Sequence, residues 1–212
     1  MEKIIFAVDK YQSKELVAPI RSRFDALSTW MHAIKIIINY YPPGDINTAG
    51  HLGILKAKMS RIFFSNDNKT FSMAFPFNVE SRDGGYLVKT LSGIEIDSRL
   101  SSEILLTAEN LKERRLSSER DLVAHFDGEP AGLDFWPAFS EILDAEDGYL
   151  RFDHDPAQEE GHKHPLNHAD LFYTNGASFK LGLHHKVTLN EIIDILDRET
   201  DCHYLSAAKN AK

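Results

Sequence analysis

The sequence predicts an α+β fold: an antiparallel sheet packed against a long N-terminal helix and further helices. Three observations carry this expectation. Apolar residues from Ile20 to Tyr41 recur at helical spacing. The segment RIFFSNDNKTFSMAFPF alternates around a polar turn. Strands and helices do not alternate regularly along the chain, as a parallel doubly wound sheet would require.

Ile20, Phe24, Leu27, Met31, Ile34, Ile38 and Tyr41 step by fours and threes, so they share one stripe of a helix. Pro19 suits its first turn, and Pro42-Pro43-Gly44 ends it. Trp30, Ile36 and Ile37 widen the apolar face, so a core helix is preferred to a coiled-coil dimer seam. A hairpin turns at Ser65-Asn66-Asp67-Asn68, with Phe71, Met73, Phe75 and Phe77 on one face. GYLVKTL and IEID read as a second pair about Ser92-Gly93. Helices are expected over Ser98 to Arg115, from Ser118 with capping-box partner Asp121, and over 137–146 behind Pro137. GYLRFDHD is a strand, HADLFYTNGASFKLGL a hairpin centred on Asn175-Gly176, and VTLNEIIDILDRETD a helix. Leu189, Ile192, Ile193 and Ile195 are the apolar positions of that last helix. A single domain over 1–212 is expected, divisible into a helix and sheet part, 1–146, and a sheet and helix part, 147–212.

A hydrophobic fraction of 42% in 212 residues suffices for a proper core. The net charge of −8 repels nucleic acid and acidic membranes, so nucleic acid is expected only at a local basic patch. Lys112, Arg114, Arg115 and Arg120 offer one, but Glu113 and Glu119 interleave, as on a solvated helix connection. The single cysteine, Cys202, excludes an internal disulfide and cysteine-rich zinc patterns. Beside His203 it forms a reactive pair only with a third member, and none is visible. MEKIIFAVDKYQ lacks the apolar run of a signal peptide, and AIKIIINYY falls short of the ~20 apolar residues that span a bilayer. A cytoplasmic protein without a membrane partner is therefore expected.

Chemistry concentrates near the C-terminal end. Seven of the ten histidines lie between positions 154 and 203, and GHKHPLNHAD follows an acidic loop. His162, His164 and His168 can converge on a cation if the proline-bent loop folds over a strand. Named metal motifs match only in part. The His-x-His-Pro of deubiquitinase-type metalloproteases fits His162, His164 and Pro165, but its downstream serine and aspartate are replaced by Phe172 and Asn175.

Hairpin geometry adds a sharper expectation. A two-residue loop, Asn175-Gly176, would set Asp170 against Leu181 and bury a carboxylate without a partner. A three-residue loop, Thr174-Asn175-Gly176, sets Asp170 opposite Lys180 and His168 on the same polar face. The second register is preferred. An aspartate across from a lysine resembles part of the PD-(D/E)xK nuclease arrangement, whose second acid is missing unless Asp153, Asp155 or Glu159 comes over. The plainer reading is a half-exposed cross-strand ion pair.

Tyr149-Leu150-Arg151-Phe152-Asp153, a variable acidic loop, and His164-Pro165-Leu166-Asn167-His168 before a strand pair and helix resemble a bacterial family known only as a domain of unknown function. The resemblance covers about 149–198 and implies a setting, cytoplasmic accessory or defence-related (antiphage) gene sets, but no reaction. Asp170 stands where that family often carries a further histidine.

Two functional expectations follow. The first is an uncharacterised bacterial protein acting through a protein partner. The second is a divalent-metal-dependent hydrolase or nuclease, using zinc, manganese or magnesium. Its candidate ligands are His164, His168, Asp153 and His162, and its candidate catalytic groups are Asp170, Lys180 and Glu159. A homodimer through the N-terminal stripe is a third reading.

Overall fold

The computed structural model describes residues 2–44, 47–56, 60–113, 132–171, 179–197 and 201. The helix expected from Ser118, the Asn175-Gly176 turn, the three arginines of the basic run and the Cys202-His203 pair lie outside the described residues. Nine strands are described: β1 (Glu2–Val8), β2 (Gly50–Lys56), β3 (Arg61–Ser65), β4 (Lys69–Ala74), β5 (Phe77–Arg82), β6 (Gly85–Thr90), β7 (Leu150–His154), β8 (Asn167–Asp170) and β9 (Lys180–Gly182). Seven of them form one sheet in the order β1-β2-β3-β4-β7-β8-β9, with every neighbouring pair antiparallel. Strands β5 and β6 pair separately and belong to the excursion between β4 and β7.

The helices are α1 (Lys10–Leu16), α2 (Arg23–Ile38), α3 (Ser98–Glu113), α4 (Phe135–Asp144) and α5 (Leu189–Leu196). No helix among the described residues is long and apolar enough to cross a membrane. The long N-terminal helix of the expectation is shorter at both ends. Ser22, its side chain accepting from the Asp25 amide, starts α2 three residues beyond Pro19, and Asn39 caps its end before the prolines. Ile20 is buried in the preceding connection, whereas Tyr41 is 84% exposed. Ten of the sixteen residues of α2 are buried, including Trp30, Ile36 and Ile37 off the stripe. The stripe is therefore covered from within the chain.

Alternation along the strands gives the sheet two apolar faces. Phe6, Leu52, Ile54, Ile62, Phe64, Phe71 and Met73 face the main core, shared with α2, α3 and α4. Leu55, Phe63, Phe152 and Ala169 face the other way, where Ile192 of α5 covers them. Hence Phe63 and Phe64, adjacent in sequence, are both buried. The hairpin pairing differs from expectation. GYLVKTL pairs with Phe77–Arg82, not with IEID, because Asp83 and Gly84 both take positive φ (23° and 86°) and make a two-residue turn whose twist suits a hairpin. Glu95 keeps a single bridge to Lys89.

Helix α5 docks through a capping box. The Thr188 hydroxyl accepts from the Glu191 amide, and the Glu191 carboxylate accepts from the Thr188 amide at 2.7 Å and from its hydroxyl at 2.8 Å. These bonds, the Thr188 amide first and His185 next, hold Glu191 down at about 2 against an ordinary 4.5. A depressed acid contributes stability above its unfolded value and loses it as pH falls through its folded one. We expect the wild type to lose its advantage over Glu191→Gln as pH falls from about 4.5 to about 2, by no more than the ~1 kcal/mol of an exposed cap. Urea unfolding of both proteins across that range measures it; a difference that does not change with pH contradicts it.

Candidate metal centre

The register of the sheet assembles one charged cluster. Reading across from the main core, Leu52 pairs with Phe64, Phe64 with Phe71, Phe71 with Arg151, Arg151 with Asp170 and Asp170 with Lys180. One step along, Lys69 pairs with Asp153, Asp153 with His168 and His168 with Gly182. Side chains two apart on a strand share a face. The face that is apolar on β1 to β4 therefore becomes charged on β7, β8 and β9. The pairings Asp170–Lys180 and Ala169–Leu181 are those of the three-residue loop, and the alternative with Asp170 against Leu181 is excluded.

His168 is fully buried and Asp170 is 5% exposed. The Pro165 carbonyl lies 2.8 Å from His168 Nδ1, and the Lys180 ammonium 2.8 Å from Nε2. A carbonyl only accepts and an ammonium only donates, so these partners assign the proton to Nδ1 and leave the Nε2 lone pair facing the cluster. Asp170 accepts from Arg151 Nη2 and, at 3.2 Å, from Lys180. Asp153 Oδ2 lies 2.9 Å from Arg151 Nε, out of line for a hydrogen bond, and 3.6 Å from His168 Nε2. Asp153 Oδ1 is buried without a hydrogen bond. Two acids thus face two cations, with Lys69 near by.

Burial, and then the charge of Arg151, push the Lys69 amine below the usual lysine range. Its ammonium donates to the Val17 carbonyl at 3.2 Å. Burial also pushes the Tyr149 phenol up to about 12, against the pull of its hydrogen-bonded neighbour Arg151. For Arg151, burial works against the charge, yet Tyr149, Asp153 and Asp170 together hold its pKa above the ordinary value.

One oxygen each from Asp153 and Asp170 and one nitrogen from His168 lie within 4.8 Å of one another, a set that can hold a metal ion. The other sequence candidates divide. His164 comes back along the hairpin and sets its ring edge-on to His168, with centroids 4.7 Å apart. Its Nδ1 is buried without a hydrogen bond, but it stands outside the close ligand set. Glu159 and His162 do not join the site. Backbone bonds from Asp155 to Leu166 and from Glu160 to His164 extend the β7–β8 hairpin and leave both residues exposed near its tip. Sequence reasoning missed Arg151, Lys69 and Tyr149; the available signal was that Tyr149, Arg151 and Asp153 alternate around Leu150 and Phe152, which marks one strand face.

A cavity of about 10 Å³ lies beside Asp153, among Lys69, Phe152, His154 and Leu183. A roomier groove of about 480 Å³ sits elsewhere, between the β5–β6 turn and the start of α3, and none of the cluster residues lines it. The fold and the site together define an antiparallel α+β protein in which a buried imidazole and carboxylate and a part-buried second carboxylate could hold a cation. No family model matches the chain, and no curated protein or solved structure matches it.

Proposed function

We propose that the protein is a divalent-cation-dependent hydrolase acting on an anionic substrate, with Asp153, His168 and Asp170 as ligands. The observation that carries this reading is the orientation of His168. Its Nδ1 is tied to the Pro165 carbonyl, and its Nε2 faces the cluster, where the Lys180 ammonium lies on it at 2.8 Å and Asp153 Oδ2 stands 3.6 Å away. An outer hydrogen bond that fixes the tautomer is the usual support of a metal-ligating imidazole. Two oxygens and one nitrogen suit manganese, magnesium or zinc. Such an ion supplies a Lewis acid and lowers the pKa of a bound water.

The chain's own residues do the rest. A divalent charge on the two carboxylates leaves Arg151, Lys180 and Lys69 as surplus positive charge, a field suited to a phosphoester. Glu159, exposed near the hairpin tip, takes no part, and Asp153 Oδ1, buried without a hydrogen bond, is an oxygen available to the ion.

Calorimetric titration with Mn²⁺, Mg²⁺ and Zn²⁺ tests the reading, together with hydrolysis of a chromogenic phosphodiester. We expect one-site binding and metal-dependent turnover, both lost in Asp153→Ala and His168→Ala. Metal-dependent turnover that survives both substitutions would remove the site from the mechanism.

A second reading draws on the same contacts. Arg151 and Lys180 already neutralise the two acids. In that reading the network orders the C-terminal strands and the protein acts through a protein partner. Its signature is no bound metal, together with a melting temperature that divalent ions leave unchanged.

A further inference from the structure

We infer that Lys180 is the protein's built-in occupant of the cation position, and that a divalent ion enters by expelling its ammonium from His168. The inference rests on the metal reading above and adds a mechanism of entry to it. A neutral imidazole has a single lone pair on the nitrogen that is not protonated. With Nδ1 committed to the Pro165 carbonyl, only Nε2 is left, and the Lys180 ammonium lies on it at 2.8 Å. That ammonium also reaches Asp170 Oδ1 at 3.2 Å and Oδ2 at 3.5 Å. It therefore takes up two of the three groups a metal would use. A metal–nitrogen bond of roughly 2 Å and an ammonium hydrogen bond cannot share one lone pair, so occupancy is exclusive.

The two cations of the cluster differ in their freedom to leave. Arg151 sits on a central strand between β4 and β8, bound to Tyr149 and Asp170 and close to Asp153. Lys180 sits on β9, the outermost strand of the sheet among the described residues, and its side chain is 29% exposed. A flexible four-carbon stem on an edge strand turns outward without breaking the sheet. Exchange of one positive charge for two then converts a balanced cluster into a cationic one. The released ammonium stays within reach of an anion bound there.

Two measurements on the full chain test this. The first is Mn²⁺ affinity of wild type and Lys180→Met, each checked by thermal melting; Lys180→Gln replaces the methionine variant if that one melts early. Loss of the competitor is expected to tighten Mn²⁺ binding by about tenfold, the equivalent of one charged hydrogen bond. The second is acylation of Lys180 in the wild type, followed by peptide mass spectrometry with and without saturating Mn²⁺. Displacement predicts faster labelling with the metal present. Equal affinities of wild type and variant, or labelling that Mn²⁺ leaves unchanged or slows, overturn the exchange while metal binding itself stands. If neither protein binds Mn²⁺, the metal reading falls, and the lysine is a structural partner of His168 and Asp170.

Discussion

Replacing Asp170 with alanine is expected to destabilise the protein by about 3 kcal/mol and to abolish divalent-cation binding. The carboxylate is 5% exposed and, among the described residues, is the one acid that both Arg151 and Lys180 contact. Deleting it leaves two like charges facing each other beside a buried imidazole. Removal of one member of a buried ionic set costs ~3–5 kcal/mol, because the surviving charges keep their desolvation penalty and lose their compensation. The lower end applies here, since the Lys180 side chain is 29% exposed and can turn to water. Asp170→Asn keeps an acceptor for Arg151 and should cost less, yet it should still lose the metal. Equilibrium urea unfolding and Mn²⁺ titration of both variants measure the two effects separately. A loss under about 1 kcal/mol for the alanine variant would mean that the cluster is hydrated and not a desolvated network.

The part of this site that could be read beforehand is the part set by local rules. Asn175-Gly176 admits two loop lengths, and only one of them spares Asp170 from burial against Leu181. The observed pairing of Asp170 with Lys180 follows that choice. Arg151 was out of reach because its partner depends on which strand lies beside β7, and the sequence does not encode that neighbour locally. The same limit hid β1 and β2. KIIFAV is a short apolar run with no turn signal before it, and its partner strand lies more than forty residues later. In β2, Gly50 and Gly53 lower strand propensity. Gly50 is nevertheless required, because a Cβ there would stand 2.8 Å from the Ser65 carbonyl oxygen. Helix α2 shows the opposite case. Its periodicity located the core helix correctly but overran its ends, since Ile20 is apolar and buried without being helical.

Trp30→Ala should produce the largest loss of stability outside the charged cluster, about 3–5 kcal/mol. The side chain is fully buried in the main core and meets the Phe77 ring edge-on at 6.1 Å. Its Nε1 donates to the Ala74 carbonyl at 2.7 Å. Ala74 closes β4, where the chain leaves the sheet for the excursion through β5, β6, α3 and α4; its own amide donates to the Asp147 carbonyl at 2.7 Å, just before β7 begins. The indole thus pins the joint at which the excursion departs and returns. Alanine would open a cavity in the core and leave the Ala74 carbonyl unpaired, and the two costs add. Trp30→Phe fills most of the volume and loses only the hydrogen bond, so it should cost markedly less. The charged cluster lies beyond this joint on β7 to β9, held by its own ladder. Below its melting temperature the alanine variant should therefore keep wild-type Mn²⁺ affinity, in contrast to Asp170→Ala. Parallel unfolding and titration curves would show this separation; a Trp30→Ala protein that folds but no longer binds Mn²⁺ would tie the cluster's geometry to the main core and not to the strand pairing that is proposed to hold it.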